Sequence, residues 1–246
     1  RADNNGEGGI LALYALLRKM KRKWIYLLAI IGASTLLADG IITPAITVTT
    51  AIEGLESISP HLPVIPITLG IITIIFFVQR FGTESIGKSF GVFMLIWFLL
   101  LGVMGTFSIT SYPMILKAIN PYYAIVLLTQ SPEWFLILGA VFLCTTGAEA
   151  LYSDLGHCGR KNITISWLFV KAMLILNYLG QGAWVLNHIQ TASSVNPFFS
   201  IMPQSMLIFA IIMATGAAIV ASQALISGTF SILSEAMNLH FWPRMR

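Results

Sequence analysis

Apolar residues in this 246-residue chain gather in runs, and proline, glycine and charge collect in the short breaks between them. Runs of about 18 residues or more are long enough to cross a hydrocarbon core of ~30 Å as helices. In hydrocarbon every backbone N–H and C=O must be satisfied internally, so an apolar run of this length commits the chain to helix. Several such runs in succession make a polytopic membrane protein. Composition agrees with the pattern: 57% of residues are hydrophobic and 10% charged, outside the range of ordinary soluble domains.

Six spans are read, at about 24–52, 64–80, 89–111, 134–153, 163–187 and 204–235, between a polar, amphipathic segment 1–23 and a closing segment 236–246. Arg18, Lys19, Lys21, Arg22 and Lys23 precede the first span. Arg80, Lys88, Arg160, Lys161, Arg244 and Arg246 fall at alternate breaks on the same side. The opposite loops, 53–63, 112–133 and 188–203, hold Lys117 as their one Lys or Arg. The positive-inside rule therefore places the basic clusters, and both ends of the chain, in the cytoplasm. This alternation accounts for the net charge of +4 without a nucleic-acid partner. The chain opens on Arg1 and stops in a basic stretch at Arg246, so both ends are read as cuts and parts of the machine are expected to be missing.

Within 1–23, the apolar stretch Ile10 to Leu17 is too short to span a bilayer and fits an interfacial cytoplasmic helix. The Gly6-Glu-Gly-Gly9 sequence lacks the Lys-Ser/Thr ending of a phosphate loop and is read as a turn. Cys144 and Cys158 have no metal-ligand spacing. His61, His157, His188 and His240 form no local metal or catalytic pattern, and no nucleophile-elbow sequence occurs. No enzyme, no cofactor and no metal beyond a transported cation is expected.

Acids inside a membrane are costly and mark functional sites by default. Asp39 lies well inside the first span, in Ala38-Asp-Gly-Ile-Ile-Thr-Pro44, where Gly40 and Pro44 predict a helix break. Asp39, Thr43 and Thr47 share a face by their spacing and offer hard oxygen ligands suited to an alkali cation. One carboxylate among neutral oxygens binds weakly and reversibly, as transport requires. The alternative is a simple kink, with Thr43 bonding back to its own helix. Glu53 lies ~21 Å further along if the segment is helical, near the outer mouth, as a coupling acid or a solvated helix-end carboxylate. The second buried acid is Glu149, with Thr146 on the same face and Gly147 and Ala148 between them permitting local unwinding. Short, glycine-interrupted spans point to a central binding site. Burial favours the neutral form of a carboxylate, which suits Glu149 to carrying a proton; a purely structural hydrogen-bonding role is the other reading. Lys171 either pairs with a carboxylate or snorkels to an interface. Asn177, Tyr178 and Gln181 add polar capacity downstream, and the Ser222, Gln223, Ser227, Thr229 face of the last span is assigned mainly to helix packing.

Arg1-Ala-Asp-Asn-Asn-Gly-Glu-Gly-Gly-Ile10, Ala38-Asp-Gly-Ile-Ile-Thr-Pro-Ala-Ile46, Gly147-Ala-Glu-Ala-Leu-Tyr152, Asp154-Leu-Gly-His157, Leu176-Asn-Tyr-Leu-Gly-Gln-Gly-Ala183 and Ala221-Ser-Gln-Ala-Leu-Ile-Ser-Gly228 together resemble the KUP/HAK/KT potassium transporters. The resemblance runs the whole length in family order. It implies a truncated, all-α integral membrane bundle of the amino acid-polyamine-cation type, with LeuT-like paired inverted repeats, in which these spans look like helices three to eight of about twelve. It further implies K⁺ uptake with protons, with Asp39, Thr43, Thr47, Thr146 and Glu149 as K⁺-binding candidates and Glu149 and Glu53 as proton-coupling candidates. The family's Gly-Asp motif on its first helix and its cytoplasmic C-terminal region have no counterpart in this chain. A bacterial inner membrane and a homodimer are further expectations. The competing readings are a passive cation channel lined by the same oxygens and a transporter of another small solute on the same fold. A membrane enzyme using Glu149 or Asp154 as base ranks last, since no paired catalytic constellation supports it.

Overall fold

The computed structural model describes residues 9–17, 23–57, 62–79, 87–144, 147, 160–192, 195–239, 241 and 243. Nine α-helices are found among them. They are α1 (Gly9–Leu17), α2 (Lys23–Glu53), α3 (Val64–Gln79), α4 (Gly87–Ser111), α5 (Pro121–Gln130), α6 (Trp134–Leu143), α7 (Arg160–Asn187), α8 (Pro197–Ser200) and α9 (Leu207–Asn238). Tight 3₁₀ turns occupy Gly54–Ser57, Pro113–Ile119 and Gln204–Met206. Among the described residues, α2, α4, α7 and α9 are four helices whose length and apolar composition suffice to cross a membrane. The apolar stretches Val64–Phe77 and Trp134–Leu143 are shorter. Large apolar side chains stand outward on these helices, Ile41 at 74%, Phe107 at 71% and Leu168 at 73% exposure. Side chains of this kind belong in lipid, because a water-facing surface does not carry contiguous apolar area on this scale.

The chain divides into two compact units. One comprises Arg1–Gly91, Ala148–Ile165 and Ile211–Arg246; the other comprises Val92–Gly147 and Ser166–Ala210. In the first unit α2 and α3 pack as a helical hairpin and α1 lies against α2. The short α1 buries Leu11 and Ala12. Its Ile10 side chain fills the space a Cβ would need at Gly32. Tyr14, Tyr26 and Phe241 form an aromatic cluster, with Tyr26 and Phe241 stacked at 5.0 Å between centroids. Gly9 opens α1 at φ 93°, a left-handed conformation that glycine adopts without strain; residues 6–8 of the expected turn lie outside the described residues.

The break expected at Gly40 and Pro44 does not occur: α2 is continuous from Lys23 to Glu53 with Pro44 inside it. Proline there removes a single hydrogen bond, the one its N–H would have given to the carbonyl of Gly40, and the flanking turns hold the helix together. Gly40 meets a packing demand instead, because a Cβ at that position would fall on the Thr229 side chain of α9.

In the second unit α4 and α7 meet at backbone contact. A Cβ at Gly180 would lie 2.6 Å from the carbonyl oxygen of Gly105, and one at Gly105 would lie 2.7 Å from Cα of Asn177. Ser108 Oγ seals the crossing by donating to the carbonyl oxygen of Gly180 at 2.7 Å. Small residues at such a crossing let two backbones approach closely, which is the main source of helix adhesion where lipid removes the hydrophobic driving force. Two helix starts in this unit share one device. Asn120 and Asn196 each precede a proline and two aromatic residues, and each side chain accepts from the backbone N–H two residues on, at 3.0 Å. Proline at the first helical position loses no intrahelical bond.

Candidate functional site

The candidate site begins on α2. Asp39 is the one charged residue between Lys23 and Glu53 in this mostly apolar helix, so the carboxylate must find partners on its own helix or on the helices packed against it. Thr43, one turn on, donates its hydroxyl to Asp39 Oδ1 at 2.5 Å. The Thr43 hydroxyl thus serves the carboxylate rather than its own backbone, unlike Thr49, which bonds back to the carbonyl of Ala45 at 2.7 Å. At 2.5 Å this is a short O–H···O hydrogen bond. Asp39 Oδ2 is buried and has no partner among the described residues. Asp39, Thr43 and Thr47 are all half-buried, while Val48 beside them is fully buried. The result is one oxygen oriented by a hydrogen bond, one open oxygen and the hydroxyls of Thr43 and Thr47 along α2, a hard-oxygen donor set suited to a singly charged cation.

Glu53 is the last residue of α2 and is exposed. It shares the helix with Asp39 but not its burial. Thr146 and Glu149 lie outside the described residues, as do His61, Asp154, His157 and Cys158. The segment leading to them is informative: α6 ends at Leu143, and Gly147 stands at φ 106°. An L side chain rarely adopts that conformation, so position 147 favours glycine. Tyr178 of α7 holds the same end, its hydroxyl donating to the carbonyl of Cys144 at 2.7 Å. That bond satisfies a carbonyl that the end of α6 leaves without a helical donor. Lys171 places its Nζ 3.5 Å over the Trp167 ring, a cation–π contact one turn away on α7.

Three groups emerge that the sequence pattern passed over or assigned to packing. Thr68 of α3, with Ser222 and Gln223 of α9, is at least 95% buried, and Thr68 Oγ1, Ser222 Oγ and Gln223 Nε2 have no partner among the described residues. The sequence signal was present in Ser222-Gln223, adjacent polar residues in the middle of a long apolar run, but burial decides whether such residues face lipid, protein or a pathway. The second unit holds a concavity of about 660 Å³, lined by Met104, Phe107, Trp184 and Met206 among others. Its lining is mostly apolar and contains no carboxylate.

The chain matches the family model described as the K⁺ potassium transporter integral membrane domain over residues 1–246. It is 52% identical to a probable potassium transport system protein Kup of Flavobacterium psychrophilum, covering 100% of this chain and 38% of that protein. It is 55% identical to a probable potassium transport system protein Kup of Latilactobacillus sakei, again over 100% of this chain and 38% of the relative. The chain therefore spans well under half the length of these relatives. No solved structure matches it significantly. With a helical apolar architecture, an acid and hydroxyl face inside its first long helix and a family match over every residue, the chain belongs to the K⁺ potassium transporter family.

Proposed function

We propose that this chain is part of the membrane domain of a potassium uptake transporter and that K⁺ enters together with protons by alternating access. The observation that carries the reading is the Asp39 carboxylate, held mid-helix in an apolar segment with Oδ1 fixed by Thr43 and Oδ2 open. An acid kept in such surroundings costs stability unless it has work to do there. Potassium is the cargo named for the relatives, and the oxygen donors of α2 suit it.

In this reading Asp39, Thr43 and Thr47 are the K⁺-binding residues of α2, and Thr146 and Glu149 are further K⁺-binding candidates. Glu149 gains and loses the coupled proton, and Glu53 at the end of α2 passes protons at the outer mouth. The paired inverted repeats of the amino acid-polyamine-cation fold would carry the alternating access, with the basic clusters on the cytoplasmic face of a bacterial inner membrane. The test is Rb⁺ uptake by the full-length protein in K⁺-starved cells lacking other uptake systems, at varied external pH. Wild type should take up Rb⁺ with saturation and pH dependence. Asp39→Asn and Glu149→Gln should abolish uptake at unchanged membrane abundance. Flux that does not saturate and ignores pH would instead indicate a passive channel, and a wild type that moves no Rb⁺ would point to another small solute.

A further inference from the structure

The helix that packs against Gly40, the neighbour of Asp39, carries polar groups of its own, and its direction relative to α2 follows from two contacts. Tyr26, near the start of α2, stacks on Phe241, just past the end of α9. Gly40, further along α2, meets Thr229, further back along α9. The two helices therefore run antiparallel, and each step forward on α2 is a step back on α9. Thr47 lies about two turns beyond Gly40, and Ser222 lies about two turns before Thr229. A seven-residue step returns to nearly the same face of an α-helix, so Thr47 shares the face of α2 that bears Gly40, and Ser222 shares the face of α9 that bears Thr229.

Ser222 is 1% exposed and Gln223 5% exposed, and each has a side-chain polar atom without a partner among the described residues. Several hydroxyls on these helices are satisfied within their own helix. Thr35, Thr49, Thr229 and Ser231 all bond back to a carbonyl three or four residues earlier. Ser222 has a helical carbonyl within the same reach and does not use it. A buried hydroxyl and a buried amide left unpaired are expensive in a dry helix contact. They cost much less beside a file of water or a partly dehydrated ion. Thr68 adds another such hydroxyl one turn into α3, where the hairpin brings α3 alongside the last turns of α2.

We infer that Ser222 and Gln223 of α9, facing Thr47 of α2, form a second stop for a monovalent cation, about two helical turns from Asp39 on the side toward Glu53. The stop offers only neutral oxygens, the Ser222 and Thr47 hydroxyls and the Gln223 amide, which can be turned to present its carbonyl. Neutral oxygens replace part of a hydration shell without holding the ion tightly, so this stop strips and selects while the carboxylate at Asp39 retains. The inference rests on the transport reading proposed above; it adds Ser222 and Gln223, which that reading does not use, and shares Thr47 with it.

The test uses the full-length protein in a background with its cysteines replaced, measuring Rb⁺ uptake for Ser222→Ala and Gln223→Met beside wild type, with competition by K⁺, Na⁺ and Cs⁺. Both variants should raise the Rb⁺ KM about fivefold, the effect of losing one neutral ligand, and shift the order of competition, with membrane abundance and maximal rate near wild type. Unchanged KM and competition order in both variants would overturn the proposal and return these residues to packing. Ser222→Cys gives a readout independent of uptake: a small cationic thiol reagent should label it from the aqueous phase, and K⁺ but not choline should slow the labelling. A cysteine that does not react in folded protein would overturn the proposal as well. Loss of Rb⁺ uptake in wild type itself would remove the transport reading and this inference together, whereas wild-type uptake with indifferent variants removes the inference alone.

Discussion

Asp39 and Thr43 show how a single hydrogen bond sets the character of a buried acid. With Oδ1 occupied by the Thr43 hydroxyl at 2.5 Å, the carboxylate has one oxygen oriented and one available. Replacing Thr43 with Val keeps the shape and removes the donor. The expected result is a Rb⁺ KM raised about tenfold, in keeping with the loss of a hydrogen bond to a charged group, while Thr43→Ser restores most of the affinity. Uptake kinetics at matched membrane abundance decide it, and equal kinetics in Thr43→Val would mean that the hydroxyl only fills space. Lys171 is the contrasting case. Its ammonium rests on Trp167 at an exposed position, where cation–π contacts contribute ~0.5–1 kcal/mol. Lys171→Met should therefore leave uptake unchanged and alter thermal stability only slightly; a lost uptake would give Lys171 a role in the pathway.

At the scale of elements, the glycines separate into those that permit contact and those that do not. Gly105 and Gly180 let the backbones of α4 and α7 touch, and no side chain fits between them. Gly105→Val should destabilise the detergent-solubilised protein by ~1–3 kcal/mol, the usual range for overpacking, seen as a lowered thermal midpoint. A Cβ added at Gly139 on α6 would meet no neighbouring group within 4 Å, so Gly139→Ala should be neutral or stabilising, since alanine favours helix. A matched response in the two variants would mean that the crossing of α4 and α7 is not tight. Pro44 belongs to the same scale. It sits inside a continuous α2, so Pro44→Ala restores one backbone donor without straightening a break. If the unbonded Gly40 carbonyl serves the cation, that variant should weaken Rb⁺ affinity while raising stability.

For the whole molecule the governing fact is the outward apolar surface. Ile41, Phe135 and Phe142 are at least 74% exposed, and α2, α4, α7 and α9 are each long enough to cross a bilayer. The protein should remain in the membrane fraction after alkaline carbonate extraction and leave it only with detergent; release by carbonate would contradict integral insertion. The positive-inside bias adds a directional expectation. A cysteine placed at Lys117 should react with an impermeant reagent from outside intact cells, and one placed at Lys161 should react only after permeabilisation.

Membrane insertion, helical class and family were legible in the order of residues, because run length, charge alternation and motif sequence are one-dimensional properties. The acid at Asp39 and its companion Thr43 were legible for a related reason: a one-turn spacing along a helix fixes which side chains meet. The break expected at Pro44 was not found, since a local propensity for breaking yields when neighbouring turns and a packed glycine hold the helix. The use of Gly40 against Thr229, the touching backbones at Gly105 and Gly180, and the unpaired state of Ser222 and Gln223 were decided by tertiary structure. Each depends on which helix lies opposite and at what register, and the sequence of a single helix does not contain that information.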